Sequence, residues 1–276
     1  MSSNKQTERR AEYNYFLRVL AFLAEQKIST AKQIDKYCFF DASHSLVWKV
    51  LKQLRCAKLI EAKVIKQDNT RRYFAFSLTK DGLQELRNQG QLDLEDLQIK
   101  SNTPLHDIIL TDLRLFFSKL KECELFVPEN IIRSKVLEEE LADLAIFRSH
   151  RSDSAVFMNM NGDRNWLALE YERNQKAHSR YENKIKGWYQ SENLFGVLLV
   201  AENDALIQQM SKIETKILPH LSRKILYSSL SSIRSANSEV KFLNCQNKSL
   251  TFKLSGSLKN IYPILNQNFA NIRTKT

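Results

Sequence analysis

Apolar positions in residues 8–26 fall on one side of a helix. Tyr13, Phe16, Leu17, Leu20, Phe22 and Leu23 form a stripe behind an Arg-rich start, the spacing left when a 3.6-residue turn buries one face. A break at Lys27–Thr30 offers Ser29 and Thr30 as caps for a short helix over Ala31–Cys38. Asp41 or Ser43 then opens a third helix, where Leu46, Val47, Val50, Leu51 and Leu54 repeat at three and four. Beyond it the period changes to two. Ile60–Lys66 and Tyr73–Leu78 alternate around the polar turn Gln67-Asp68-Asn69-Thr70, which predicts a hairpin. A closing helix starts after Thr79.

The stretch 88–103 (NQGQLDLEDLQIKSNT) is polar and locally acidic, and it separates two regions. The expected division is a domain over 1–95, a linker over 96–103 and a second domain over 104–276. In the second, Leu105–Leu120 predicts an amphipathic helix, and a loop containing Pro128 and then an acidic stretch follow it. Leu141–Phe147, Ser154–Met160 and Asn165–Glu172 predict strands, the last two flanking the turn Asn161-Gly162-Asp163. A helix is expected over Ala177–Gln190, a buried strand over Leu194–Ala201 and a helix over Ala205–Ile217. Strands embraced by helices imply an α/β domain with a mixed sheet. After about Ser222 the pattern is short β-like segments with Ser-rich turns. There Ser228–Ser238 reads as a solvated helix or loop, and Lys259–Ile272 as a closing helix or a basic tail.

Charge narrows the class. Across 276 residues, 42 Lys and Arg face 31 Asp and Glu, a net charge of +11, which suits a polyanionic partner whose counterions are released on binding. The four cysteines (Cys38, Cys56, Cys123, Cys245) are scattered with no zinc spacing and read as reduced thiols. No apolar run approaches the roughly 20 residues of a bilayer span, and the start MSSNKQTERRAEYNY lacks an apolar signal core. A cytoplasmic chain without membrane insertion is expected.

Three helices, a hairpin and a closing helix follow the order of winged helix-turn-helix domains, which residues 8–90 resemble, most clearly in LIEAK, RYFAFSLTKDGLQEL and the turn between them. The resemblance implies that the third helix enters the major groove of double-stranded DNA and the wing tracks the backbone. Candidate DNA contacts are then Ser43, His44, Ser45, Lys49 and Lys52 on the helix, and Lys66, Arg71 and Arg72 on the wing. Trp48 reads either as core or as a base-stacking group.

In the second domain the chemistry turns on where acids fall. Asp143 interrupts an apolar run, and Glu170 and Glu172 lie two apart in a predicted strand, which sets both carboxylates on one face. Buried acids must be paired or metal-bound. Asp143, Glu170 and Glu172 converging on Mg²⁺ or Mn²⁺ would suit phosphodiester chemistry. Pairing with Lys176, Arg180 or Lys184 on the following helix is the other reading, and the residues alone leave both open.

The order helix, strand with Asp, strand, strand with ExE, helix resembles the PD-(D/E)xK nuclease superfamily, with ALADLAIF standing for the PD strand and LALEYER for (D/E)xK. More closely, LHDIILTDLRLFF, DLAIF and ALEYERNQKAHSRYENKIKGWY behind a winged helix resemble the replication-relaxation family, which includes MOBC-class plasmid mobilisation relaxases. The implied protein is a two-domain α+β / α/β chain, a winged helix-turn-helix followed by a restriction-endonuclease-like mixed sheet flanked by helices. The implied activity is metal-dependent nicking at a transfer origin, within a relaxosome that includes accessory or coupling proteins. Asp143 and Glu170 carry over as metal ligands and Glu172 falls at the third motif position, where the general pattern has a lysine. Lys184 or Lys176 is the expected substitute, with His106, Asp107 and Arg180 as further candidates. Without a substitute the expectation is a non-catalytic DNA-binding regulator or relaxosome accessory protein.

Overall fold

The computed structural model describes residues 2–66, 72–89, 96–134, 143–160, 162–218 and 224–255. These form a mixed α and β structure in two compact units. The first runs to Leu113 and includes Arg133 and Ser134 at the end of α6 (Glu129–Ser134); the second holds Arg114–Ile132 and the described residues from Asp143 onward. No helix among the described residues is long and apolar enough to cross a membrane.

The first unit contains α1 (Ser2–Gln26), β1 (Ser29–Thr30), α2 (Ala31–Cys38), α3 (His44–Cys56), β2 (Ile60–Lys66), β3 (Arg72–Leu78) and α4 (Lys80–Asn88), with the first part of α5 (Pro104–Phe117). Leu20 and Phe22 on α1, Ile34 and Tyr37 on α2, and Val50 and Leu54 on α3 are buried together as the core that the helical periodicity predicts. A three-stranded antiparallel sheet in the order β1-β3-β2 covers its edge. The sequence reading has no strand at β1, because two residues are too few to show a period.

Thr30 caps α2 in a reciprocal box. Its hydroxyl accepts from the Gln33 amide, and the Gln33 side chain accepts from the Thr30 amide at 2.9 Å. The other end of Gln33 donates to Ile108 O at 2.7 Å and Asp112 Oδ1 at 2.8 Å on α5. Ile108 also packs in a cluster with Ile28 and Ala75. These contacts hold the start of α5 in the first unit, so the division falls inside that helix, beyond the expected linker at 96–103.

The second unit is built on a seven-stranded mixed sheet in the order β10-β9-β8-β7-β6-β5-β4. Its strands are β4 (Cys123–Pro128), β5 (Ser154–Met160), β6 (Asp163–Glu172), β7 (Gly196–Ala201), β8 (Ile225–Ser229), β9 (Glu239–Leu243) and β10 (Ser249–Lys253). β6, β7 and β8 are parallel, joined through α8 (His178–Gln190) and α9 (Asp204–Ile217), while the remaining pairs are antiparallel. The two edges are stitched to each other. Lys121 N donates to Lys253 O, Leu120 bridges Leu254, and Ser255 N donates to Lys119 O. Phe117 fills the space inside this closure against Phe126 and Phe242.

Three expectations change. The strand expected over Leu141–Phe147 is replaced, in its described part, by a helix: α7 spans Leu144–Ser149, and Asp143 is the exposed residue at its start. Leu144 and Phe147 are its buried positions, three apart, a helical spacing that an almost wholly apolar run conceals. The edge strand is instead β4, whose Pro128 ends it and made the segment read as a loop. Ser228–Ser238 is the solvated helix expected only in its later part: Ser228 and Ser229 are buried in β8, and α10 (Leu230–Ser235) follows with Ser231, Ser232 and Ser235 exposed. The Gln67–Thr70 turn, Arg71 and Lys259–Ile272 lie outside the described residues.

The close approach of α4 to the turn after α3 rests on Gly82. A Cβ there would stand 2.1 Å from Leu59 O, and Thr79, the α4 cap, already binds Leu59 O through its amide and hydroxyl. Backbone cannot yield as a side-chain tip does. Gly82→Ala is therefore expected to lower the stability of the first unit by about 1–3 kcal/mol, the usual cost of overpacking, read as a drop in its urea midpoint. An unchanged midpoint would contradict this packing.

Candidate functional site

In the first unit the buried face of α3 (Val47, Val50, Leu51, Leu54) sets its other face in solvent. That face carries Ser43 at the cap, then His44, Ser45, Trp48, Lys49, Lys52 and Arg55. Trp48 is 56% exposed, so it is no part of the core. His44 Nδ1 lies 2.6 Å from Asp35 Oδ2, which ties the helix start to α2, and the Ser43 and Ser45 hydroxyls are 3.1 Å apart. On the hairpin Lys66 and Arg72 are directly paired and both exposed. Five of the expected contacts thus share one helix face, and two more sit together on the hairpin.

His106 and Asp107 belong to the first unit. Asp107 is buried, 3.9 Å from Lys27 Nζ, with its Oδ1 3.4 Å from His106 Nδ1. They anchor α5 against the end of α1.

In the second unit Glu170 and Glu172 lie on one face of β6, both buried, as the period of two requires. Trp166 continues this face against Phe157 of β5 and Phe147 of α7. Tyr171 occupies the opposite face and donates its hydroxyl to Glu202. The β5–β6 register pairs Ser154 with Leu169 and Ala155 with Ala168. One further step sets Asp153, which immediately precedes β5, opposite Glu170. Asp153 Oδ2 accepts the Tyr171 amide at 2.8 Å.

The loop and helix after β6 supply the cations. Lys184 Nζ stands 2.7 Å from Glu170 Oε2 and lies over the Trp188 ring, 5.2 Å from its centroid. Lys176 Nζ is 2.7 Å from both Glu172 oxygens. Tyr181 positions Lys176, because its buried hydroxyl accepts the Lys176 amide and donates to Asn174 O. Arg180 is exposed on α8. Glu170 Oε1 and the neighbouring Ser152 Oγ are both buried, and Ser152 acts on the carboxyl in the same direction as Lys184.

Burial pushes the Glu170 carboxyl up to about 7; Lys184 opposes that rise, and the Asp153 charge adds to it. For Lys184, burial alone would lower the ammonium, but Glu170 and Asp153 outweigh it and hold it above the ordinary lysine value.

The three-carboxylate set expected from the sequence is therefore not assembled. Asp143 stands exposed at the start of a helix rather than in the sheet. Among the described residues no group of three His, Cys, Asp or Glu side chains is placed to hold a metal ion. Asp153 is the acid that accompanies Glu170. The signal for it was present, since it directly precedes a predicted strand that pairs with the ExE strand.

No family model and no curated protein matches the chain. Among solved structures it is similar to a mutant of Lactococcus lactis ZitR in its apo form, at 24% identity over 33% of this chain and 71% of that one, with a TM-score of 0.25. A likeness at that score bears on neither fold nor function.

The Glu170 carboxyl gives a pH test. A carboxyl whose folded pKa is raised from 4.5 to about 7 adds stability that is complete below the unfolded value and lost as pH rises through the folded one. The melting temperature of wild type relative to Glu170→Gln is expected to fall between pH 5 and 8, measured by calorimetry. A difference that stays constant with pH would refute the raised carboxyl.

Proposed function

We propose that this chain is a DNA-processing protein, in which a winged helix-turn-helix binds duplex DNA and a PD-(D/E)xK-like unit nicks one strand, at a plasmid transfer origin in company with relaxosome accessory or coupling proteins. The element order α1-β1-α2-α3-β2-β3-α4 supports the first half. In such a domain α3 lies in the major groove and the β2–β3 hairpin is the wing. The basic face of α3 and the Lys66–Arg72 pair suit phosphate contact.

One observation carries the second half: the buried carboxylate of Glu170 is met by Asp153 across the β5–β6 register and by Lys184 from α8. Two carboxylates suffice for Mg²⁺ or Mn²⁺ when waters and substrate phosphate complete the shell. The buried Glu170 Oε1, which Lys184 leaves unengaged, supplies an oxygen suited to such an ion. Asp153 and Glu170 would hold it, and when bound it activates water and neutralises charge on a phosphodiester. Lys184, steadied by the Trp188 ring, supplies the positive charge that the general motif takes from a lysine at the position of Glu172. Glu172 itself pairs with Lys176 and closes the end of β6.

A second reading is an accessory DNA-binding protein with a degenerate nuclease-like unit. The pairing of Glu170 and Glu172 with a lysine each favours it, since both charges are already matched.

Nicking of a supercoiled plasmid bearing the cognate origin region, with Mg²⁺ or Mn²⁺, separates the two. Asp153→Asn and Glu170→Gln are expected to lose roughly 100-fold or more in rate, the scale of a lost electrostatic contact at a reacting centre, while Asp143→Ala cuts like wild type. Equal rates for all three variants and wild type would sink the nuclease assignment. Absence of both nicking and divalent-ion heat in the presence of DNA would establish the accessory reading.

DNA binding has its own test. Lys52→Ala or Arg72→Ala is expected to weaken binding to all duplexes alike and to reduce the salt slope by about one per lost phosphate contact, measured by anisotropy across a salt series. Unaltered slopes would place the DNA elsewhere.

A further inference from the structure

We propose that the β2–β3 hairpin is a wedge: its exposed apolar pair, Val64 and Phe74, enters the minor groove of bound duplex DNA and unstacks a base step. This rests on the DNA-binding reading above and adds a deformation to it.

The two faces of the hairpin are unlike. On one, Ile65 packs against the cluster of Ile28, Ala75 and Ile108, which holds the hairpin firmly to the body of the first unit. On the other, the cross-strand pairs from base to tip are Ala62 with Phe76, Val64 with Phe74, and Lys66 with Arg72. Burial ends abruptly along this face. Phe76 is 3% exposed, whereas Phe74 is 65% exposed and Val64 50%. Phe74 is thus the most exposed of the large apolar side chains described.

Charge selects the occupant. The apolar pair is followed directly by two cations, Lys66 and Arg72, both exposed. On the strands the acid, Glu61, sits at the base, paired with Lys63 at 2.7 Å and accepting the Ser77 hydroxyl, while the turn between Lys66 and Arg72 carries one acid, Asp68, and one further cation, Arg71. An apolar tooth bordered by cations fits DNA, where the cations take phosphates and the tooth takes the stack. Phe and Val are suited to the intercalating part, and a rigidly anchored hairpin does not fold away under the load. Deformable pyrimidine–purine steps would yield most readily, so the wedge would favour TA or CA steps without reading a base edge.

The experiment uses the full chain and end-labelled duplexes of about 30 base pairs, with 2-aminopurine beside a central TA step or within a stiff A-tract. Wild type is expected to brighten the 2-aminopurine severalfold at the TA step and to shorten the end-to-end distance by energy transfer. Phe74→Ala is expected to bind within roughly threefold of wild type yet lose both signals, because phosphate contacts carry most of the affinity. Its melting temperature should not fall, since the ring is outside the core. Arg72→Ala is expected to bind more weakly but to bend the DNA once bound.

If the Phe74→Ala complex bends and brightens as wild type does, the wedge is wrong and DNA binding stands. If wild type binds without either signal, the same holds. If wild type binds no duplex, the DNA-binding reading falls and the wedge with it. If sedimentation shows a dimer that Phe74→Ala dissociates, the apolar pair is a self-association surface and the wedge is overturned.

Discussion

A carboxylate carried into a sheet must find a partner there or give up its charge. Glu170 meets that demand at the centre of the second unit. It is buried on β6 beside Asp153, and Lys184 reaching across from α8 is the main group that offsets burial and the neighbouring negative charge. The pairing fixes which way α8 faces as it leaves the sheet. Trp188, fully buried one turn further along, becomes both part of the core and a platform under the ammonium. Replacing these groups by apolar ones of equal volume would stabilise many folds. Their presence is thus poor evidence of stabilisation.

A comparable economy of polar contacts organises the first unit. Gln33 serves three partners at once: it closes the cap of α2 and reaches the Ile108 carbonyl and Asp112 on α5. Thr111 of the same helix donates to Gln26, and Asp107 faces Lys27. A polar seam of this kind tolerates little slippage, because each displaced group would be left buried and unmatched. It holds the start of α5 against the end of α1, and with Ile108 in the neighbouring apolar cluster it fixes the base from which the hairpin projects.

The sheet of the second unit explains how one site can draw on distant parts of the chain. β5 and β6 are antiparallel neighbours, so a residue before the first strand comes to face a residue near the end of the second. β6 and β7 are parallel, so the connecting helix α8 must return over the sheet, which brings Lys176 and Lys184 to the end of β6. Topology, and not nearness along the chain, makes Asp153 and Lys184 companions of Glu170.

Periodicity alone determined the helices and hairpin of the first unit, the alternation that puts Glu170 and Glu172 on one face, and the basic, solvent-directed side of α3. Each depends on contacts within a few residues, where backbone geometry dictates which side chains share a face. The run around Asp143 was a different case: almost wholly apolar, it carries no readable period, and packing decided that Leu144 and Phe147 would be buried on a helix. β4 was masked by its proline for a similar reason. The partner of Glu170 was beyond local reach altogether. Asp143 and Asp153 are both acids near a predicted strand, and only the β5–β6 register, a contact between segments separated by a turn, distinguishes the one beside Glu170 from the one in solvent. Local residue order thus settled which side chains share a face, and tertiary pairing settled which faces meet, because a buried charge is satisfied by neighbours in space.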